Sequence, residues 1–336
     1  MKVNTVAIGP VVDSPSWNWV GFDTARELSK YFSLKTFKKV IPPCDVAIVV
    51  KKLLADSDTT AAAKLLYLPI DRYPSAEDIH GDREFLRTCS AVGCHSECLI
   101  PYVAAYCDKV IFIEHHGRYT LPQIKPYDPE GYVIWIGGFQ HIPFLIKWLD
   151  CHPIHRPLKL LTNFGNPSAR RVADELAHSL EVSVTIKDGR LGGYPVYLWS
   201  ERAQYQMMCD AAAALDIKAG AWLGRFHWKQ YMKPPTKGQK YVSSGIPFAT
   251  NDDSYCFDYF RRRGFLLATP DQEERWFSRE YWTDTVRYAT SLRQTISLES
   301  MGLRYKCLIE EIISYPDDRW PVENAVATAD QSNGKL

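Results

Sequence analysis

The chain has 336 residues, of which 46% are hydrophobic and 24% charged, with 40 Lys and Arg against 39 Asp and Glu. This composition excludes a largely disordered chain, and a net charge of +1 excludes a global field that would recruit nucleic acid or anionic membrane. The length favours two domains, because single hydrophobic cores rarely grow beyond about 250–300 residues.

The cysteines and the apolar runs indicate the cellular compartment of the protein. Nine scattered cysteines, mostly in apolar stretches, favour buried free thiols in a reducing compartment. The segment 94–98 has two cysteines and a histidine but lacks a second distant pair, so no metal site is predicted there. No run reaches the ~20 apolar residues of a membrane span, and no apolar signal core opens the chain. We expect a cytoplasmic protein, with peripheral contact to a membrane left open.

The first third of the chain alternates short apolar runs with amphipathic stretches, which is typical of a parallel sheet covered by helices. Phe22, Ala25, Leu28 and Phe32 follow a near-helical spacing and predict a helix after the first strand. An N-terminal Rossmann-like domain is therefore predicted over residues 1–120. Its candidate strands lie at 3–9, 35–40, 45–50, 65–70, 89–94 and 109–114.

Proline and glycine then interrupt the pattern within residues 117–131, which places a domain linker at 121–131. A second Rossmann-like domain is predicted over 132–300, with Asn166 and Pro167 as the cap and first residue of one helix. A helix over 301–320 could cross back to the N-terminal domain, and the polar residues 321–336 predict a flexible tail. Candidate strands of this half lie at 132–136, 158–161, 182–186, 212–217, 246–250 and 264–268.

The segment 233–250 is the most informative, and it predicts a loop, a short helix and a strand. Thr236, with a glutamine three residues later, opens a capping-box pattern, and Gly245 suits a left-handed helix stop. Lys233 and Lys237 would add two ammonium groups to the amide-rich start of this helix. A diphosphate is the expected ligand of that arrangement, and a solvated surface helix is the alternative.

The order of residue types in this segment, Pro-Thr-Lys and then tyrosine, apolar, small, small, glycine, apolar, proline, resembles the C-terminal domain of GT-B glycosyltransferases, especially the retaining family 4 group. Residues 131–138 resemble the strand and glycine loop that open the donor domain of those enzymes, and residues 205–218 resemble the helix and strand before the motif. Residues 66–71 and 91–97 look like the strand ends that face the acceptor. The resemblance is specific only over 233–250.

The resemblance implies two Rossmann-like, doubly wound domains that face each other across a cleft, with a nucleotide-sugar held by the C-terminal one. It implies transfer of a hexose to a sugar or lipid-linked hydroxyl, with retention of configuration and no cofactor besides the donor. The Asp-x-Asp element at 56–58 begins an alanine-rich helical stretch, so no metal is expected at the diphosphate. The candidate donor-binding residues are Gly137, Gly138, Lys218, Lys233, Thr236, Lys237 and Lys240.

One position departs from the family pattern. Five residues before Gly245, where the family usually has a glutamate for the donor ribose, this chain has Lys240, and an ammonium group cannot accept those hydrogen bonds. The carboxylates that could replace the glutamate are Asp252, Asp253 and Asp258.

Three residues are candidates for the acceptor side. His95 and His116 follow predicted strand ends, where open α/β sheets bind ligands, and a neutral imidazole there could take a proton from a hydroxyl. Asp71 is a rival base at another strand end. Purely structural roles for these histidines stay open, since the chain contains nine of them.

Two other functions remain open on the sequence. A glucosyltransferase acting on modified DNA bases would share the architecture, and the run Arg261-Arg-Arg263 offers it a local basic patch, although that run also suits the solvated face of a helix. A non-catalytic binding protein of the same fold would explain Lys240. A Rossmann dehydrogenase is disfavoured, because residues 9–13 do not form the Gly-x-Gly-x-x-Gly turn.

Overall fold

The computed structural model describes residues 4–14, 16–51, 62–224 and 228–315. These residues form two compact units, one from the residues up to His116 together with those from Ser297, the other from Gly117–Ile296. The predicted tail at 321–336 and the Asp-x-Asp element at 56–58 lie outside the described residues.

The first unit is built on a six-stranded sheet in which all neighbouring strands are parallel. The strands are β1 (Thr5–Gly9), β2 (Ser33–Thr36), β3 (Cys44–Val50), β4 (Ala62–Leu68), β5 (Ala91–Cys94) and β6 (Val110–Phe112). Their order is β2-β1-β3-β4-β5-β6, so the winding reverses between β1 and β3. The helices before the boundary are α1 (Asp23–Leu28), α2 (Ala76–Gly81), α3 (Arg83–Thr88) and α4 (Ile100–Val103).

The second unit contains a seven-stranded sheet in the order β13-β12-β7-β8-β11-β10-β9. Its strands are β7 (Tyr132–Gly137), β8 (Leu158–Thr162), β9 (Ile186–Lys187), β10 (Arg190–Leu191), β11 (Tyr194–Leu198), β12 (Ala211–Asp216) and β13 (Phe248–Thr250). The strands from β13 to β11 are parallel, and β10 and β9 add an antiparallel extension at one edge. The winding of the parallel part reverses between β7 and β12.

Helices cover this second sheet, whose central strands are buried and rich in Ala, Val, Ile and Leu, as a sheet with helices on its faces requires. They are α5 (Ile142–Cys151), α6 (Pro167–Leu180), α7 (Glu201–Asp210), α8 (Trp228–Tyr231), α9 (Thr236–Ser243), α10 (Tyr255–Arg262), α11 (Glu273–Trp276) and α12 (Arg279–Thr295). The cap predicted for α6 is confirmed, because the Asn166 side chain accepts a hydrogen bond from the Ala169 amide at 3.0 Å. Gly245 has a φ of +74°, as predicted for the residue that stops α9.

Two strand predictions in this unit are wrong. The parallel neighbour of β8 is β11 and not residues 182–186, of which only Ile186 contributes to the edge strand β9. The sequence of this stretch is typical of a turn, because β11 contains Pro195 and two glycines precede it. A strand nevertheless tolerates a proline at a position where its backbone N–H is not needed for pairing. The strand predicted at 264–268 is reduced to one bridge between Ala249 and Ala268.

The last helix, α13 (Leu298–Ser314), packs in the first unit. Tyr305, Leu308, Ile309 and Ile312 join the buried cluster that contains the β1 and β3 side chains. Residues 121–131, predicted as a linker, lie in the second unit, where the Lys125 amide donates to the Ser244 carbonyl at 2.9 Å. None of the helices in the described ranges is long and apolar enough to cross a bilayer.

Candidate functional site

The second sheet reverses its winding between β7 and β12, and the carboxyl ends of such neighbouring strands are where open α/β sheets bind ligands. Gly137 ends β7 and Asp216 ends β12, while Lys218 follows two residues later. Because side chains two apart in an extended strand point to the same side, Asp216 and Lys218 meet, and Lys237 from the first turn of α9 joins them.

Asp216 is the centre of this group. Its carboxylate is 2% exposed, with Oδ2 2.8 Å from Lys218 Nζ and Oδ1 2.7 Å from Lys237 Nζ. Burial acts to raise the pKa of Asp216, but the charges and hydrogen bonds of the two lysines outweigh it and lower the pKa below its usual value. We call Asp216, Lys218, Lys237 and Lys240 the lysine cluster.

Lys240 lies one helical turn beyond Lys237 and is 9% exposed, with its Nζ 4.8 Å from the centre of the Tyr241 ring. Burial, then the neighbouring charge of Lys237, lowers the pKa of Lys240 to about 7. Burial lowers the pKa of Lys237 to about 8, against the opposing effect of Asp216. Lys237 and Lys240 therefore lose their protons more readily than a free lysine does.

The glycine loop after β7 lies against the cluster. A Cβ on Gly137 would stand 2.5 Å from the Trp135 ring and 3.1 Å from Lys237 Nζ. The Lys237 ammonium is 5.1 Å from the centre of that indole. Only glycine therefore lets β7 end this close to the lysine.

Lys233 contacts the same loop through a different residue. Its Nζ is 2.7 Å from Nε2 of His141, in the 3₁₀ turn that follows Gly138. The structure thus brings Lys233 and Lys237 to one loop, as the sequence predicts, but gives each a different partner. His141 carries no sequence signal that would have marked it.

The start of α9 differs from the prediction in its cap. The helix begins at Thr236, but the N-cap residue is Pro235, and the glutamine of the predicted capping box, Gln239, donates instead to the Tyr259 hydroxyl at 2.9 Å. Thr236 is the first helical residue and so cannot cap its own helix. Pro235 provides no side-chain cap for this helix.

The carboxylates considered as replacements for a ribose-binding glutamate lie in two places. Asp252 and Asp253 line a cavity of about 540 Å³, together with Trp148 and Trp222. This cavity adjoins the lysine cluster through Asn251, whose Oδ1 accepts a hydrogen bond from the Lys218 amide at 2.8 Å.

Asp258 has different partners. It pairs with Arg261 and Arg262 on its own helix at 2.6 and 3.0 Å. The aromatic residues between these charges, Tyr255, Phe257, Tyr259 and Phe260, are buried. The arginine run is therefore the outer face of a packed helix, as one of the two sequence interpretations predicts.

The residues predicted for the acceptor lie in the first unit, after β4, β5 and β6. The His95 ring stacks on the ring of His115 at 3.9 Å, and His116 Nε2 is 3.0 Å from an Asp23 oxygen. We call His95, His115, His116 and Asp23 the histidine cluster. The doubled histidine at 115–116 was the signal that could have added His115 to the sequence prediction.

The histidine cluster is nearly closed to water. Nδ1 of His95 is 2.5 Å from the Ile113 carbonyl, so this nitrogen carries the proton. Burial lowers the pKa of His95 to about 4 and that of His115 well below its ordinary value. Asp71 is exposed, with a φ of +48°, and its charge acts on His95. No three His, Cys, Asp or Glu side chains in the described ranges are grouped as a metal site requires.

Comparison with known proteins identifies the fold of this chain. No protein-family model matches the sequence, and no curated protein matches it. Sucrose-phosphate synthase from Thermosynechococcus elongatus matches in structure with a TM-score of 0.59 at 10% identity, over 93% of this chain and 99% of that one. Anabaena HepE, solved in complex with UDP and glucose, matches with a TM-score of 0.58 at 10% identity, over 92% and 100%.

AviGT4, a glycosyltransferase involved in avilamycin A biosynthesis, matches with a TM-score of 0.55 at 11% identity, over 92% of this chain and 98% of that one. Other matching chains are longer, and this chain spans 53% to 58% of their length. At such identities the likeness concerns the fold alone. The chain has the GT-B fold of these glycosyltransferases, with two Rossmann-like units, as its sequence resemblance implied.

Proposed function

We propose that this chain is a glycosyltransferase that binds a nucleotide-sugar in its second unit and transfers the hexose to a sugar or lipid-linked hydroxyl. The observation that carries the proposal is the lysine cluster at the reversal point of the second sheet, beside the glycine loop and the start of α9. A nucleotide donor is supported by HepE, which has the same fold and was solved with UDP and glucose.

The cluster suits the departure of a nucleoside diphosphate. In the transfer the acceptor oxygen bonds to the anomeric carbon and gives up its proton, while the bond between that carbon and the β-phosphate oxygen breaks. Negative charge develops on the β-phosphate oxygen. Lys237, Lys218 and the first amides of α9 would stabilise this charge, and their burial makes the attraction stronger than it would be in water. Retention of configuration and a route without a metal ion follow from the resemblance to the retaining family 4 group.

The acceptor residues differ in access. Asp71 is exposed, so among the three predicted residues it is the best placed to meet a hydroxyl from solvent. His95 and His116 are 5% and 7% exposed and bind the Ile113 carbonyl and Asp23. We propose that these two histidines hold the strand ends in position and that Asp71 receives the acceptor.

One observation favours a second candidate, a non-catalytic protein that binds nucleotide-sugars. Lys240 stands where a ribose-binding glutamate is expected and cannot accept hydrogen bonds from ribose hydroxyls. The lysine cluster would hold the diphosphate equally well in such a protein. Hydrolysis or transfer of the hexose by the purified chain would exclude this candidate.

Donor binding tests the proposal. UDP-glucose, GDP-mannose and ADP-glucose would be titrated calorimetrically into the wild type, into Lys237→Ala and into Lys187→Ala, an exposed lysine of β9 that serves as control. We expect at least one donor to bind, with a loss of about 10- to 100-fold in Lys237→Ala, because a charge-assisted phosphate contact contributes about 1.5–3 kcal/mol. Absence of binding, or equal binding by Lys237→Ala, would refute the diphosphate assignment.

A further inference from the structure

The lysine cluster contains more positive than negative charge. Lys218 and Lys237 share the single carboxylate of Asp216, one oxygen each, and Lys240 adds a third ammonium on the same helix as Lys237. With all three lysines protonated, one carboxylate leaves two charges uncompensated. Buried charge without a counter-ion is strongly unfavourable, so the cluster is complementary to a dianion.

Lys240 is the member of the cluster without a carboxylate. Its side chain is 9% exposed, and within the described ranges no Asp or Glu oxygen lies at ion-pair distance from its Nζ. Side chains on a helix lean toward its N-terminus, so Lys240 leans over the turn that carries Lys237. The charges of Lys237 and Asp216 both act on it, which places its ammonium within the field of the cluster.

We infer that Lys240 is a third phosphate-binding cation, and that a ligand with a dianionic diphosphate binds this site together with a proton that the lysine cluster takes up from solvent. The inference rests on the proposed donor class and adds a specificity rule: the site selects for total negative charge. The proton returns to solvent when the diphosphate product leaves, so no other reactant is needed.

Two other ionisable side chains, Cys256 and Arg293, lie near α9, and neither is expected to exchange this proton. Cys256 of α10 lies beside the cluster, but burial raises the pKa of its thiol to about 12, so it stays neutral near pH 8. Arg293 of α12 donates to the Ser243 carbonyl at 2.5 Å, at the opposite end of α9. Since burial lowers the pKa of Lys240 to about 7 and that of Lys237 to about 8, both gain protons when a dianion arrives.

Calorimetry at pH 8 in Tris and in Hepes, buffers of different ionisation enthalpy, counts the protons. The probe is UDP-glucose, or GDP-mannose or ADP-glucose where that donor binds more tightly. Both phosphates of these molecules are esterified, so they exchange no proton near this pH. We expect the wild type to take up roughly one proton per ligand, given the pKa values of the two lysines.

Two variants at one position separate charge from proton exchange. Lys240→Met, which keeps the length of the side chain, is expected to take up at most about half as many protons and to bind about 3- to 10-fold more weakly. Lys240→Arg keeps a charge that does not titrate, so it is expected to keep only the uptake that Lys237 contributes and to hold its affinity within about threefold. Lys187→Met is the control and should match the wild type.

The outcomes are distinct. Zero uptake by the wild type, or equal uptake by the wild type and Lys240→Met, would overturn the inference and leave the donor assignment intact. Failure of every nucleotide-sugar to bind the wild type would instead refute the proposed function on which the inference rests.

Discussion

The two units bury ionisable side chains at the carboxyl ends of parallel strands in opposite ways. The histidine cluster meets burial by losing charge, since the pKa of His95 falls to about 4 and its protonated nitrogen binds a carbonyl. The lysine cluster gathers three lysines around one carboxylate, Asp216, so it carries a surplus of positive charge when its lysines are protonated. Nε2 of His95 and Nδ1 of His115 are buried without a hydrogen-bond partner, but the cluster carries no surplus of positive charge. A buried surplus of positive charge, as in the lysine cluster, is the mark of an anion-binding site.

The two clusters also differ in where they lie relative to the strands of their sheets. The lysine cluster lies where the second sheet reverses its winding, between β7 and β12. The histidine cluster follows β5 and β6, away from the reversal between β1 and β3 in the first sheet. Both the charge and the topology therefore favour the second unit as the place where a ligand is held.

Among the substitutions that test this comparison, Asp216→Asn is expected to change stability the most. It removes the only carboxylate of the lysine cluster and leaves buried ammonium groups without a counter-ion, which should lower the free energy of unfolding by about 3–5 kcal/mol. Urea unfolding measures this loss of stability. Asp258→Asn, which breaks more exposed pairs on α10, is the control and should cost less than about 1 kcal/mol. Equal losses in the two variants would show that Asp216 is not central.

Lowering the pH is expected to reduce the stability of the protein through the histidine cluster. Because the pKa of His95 is lower in the folded state than in the unfolded chain, the unfolded state binds more protons between pH 6.5 and about 4, and stability falls as pH falls through that window. The loss attributable to His95 is roughly 2–3 kcal/mol.

His95→Asn tests this acid sensitivity, since it keeps an N–H donor for the Ile113 carbonyl and does not titrate. The variant should lose less stability than the wild type between pH 6.5 and 4 in urea unfolding. His178→Asn, at an exposed position of α6, should follow the wild-type profile. A His95→Asn profile identical to the wild type would mean that the imidazole is not held neutral by burial.

Gly137→Ala should produce a smaller effect. The added Cβ would meet the Trp135 ring at 2.5 Å, so we expect about 1–3 kcal/mol of destabilisation and weaker donor binding through the displaced Lys237. Gly165→Ala is the matched control, because its Cβ would find only an ordinary contact with Leu198 at 3.9 Å. Thermal unfolding and donor titration of both variants measure the two effects. Full stability of Gly137→Ala would show that the loop does not press on the cluster.

Lys240→Met is the one change expected to act in the opposite direction, because it should raise stability. The folded pKa of Lys240 is about 7 against 10.5 for the free side chain, so the unfolded state holds more protons between these values and wild-type stability rises with pH there. Replacing the ammonium should therefore raise the free energy of unfolding by about 2–4 kcal/mol at pH 6. The gain should vanish toward pH 10.5, and a gain independent of pH would contradict this origin.

The sequence predicted much of the fold, because the parallel strands and their helices carry strong apolar periodicity. It missed β11, since Pro195 and the glycines before it mimic a turn, and the pairing that makes this stretch a strand is a long-range contact with β8. Lys218 follows Asp216 by two residues, just past the end of β12, and where the backbone stays extended this spacing puts both side chains on one side and could have marked the carboxylate.

The partners of individual lysines could not be predicted. Lys233 and Lys237 stand four residues apart near one helix start, and nothing local shows that one contacts His141 and the other Asp216. The cap was misassigned for a similar reason, because the tertiary contact with Tyr259 claims the Gln239 side chain. Local patterns thus placed the candidate site, while the distribution of charge within it depended on the fold.

The most direct test is the crystal structure of the chain soaked with UDP. The account predicts that the diphosphate binds beside the carboxyl ends of β7 and β12, with phosphate oxygens about 2.7–3.0 Å from the Lys237 ammonium and within reach of Lys240. Density for UDP at any other place in the second unit, or in the first unit beside the histidine cluster, would contradict the assignment of the lysine cluster as the diphosphate site.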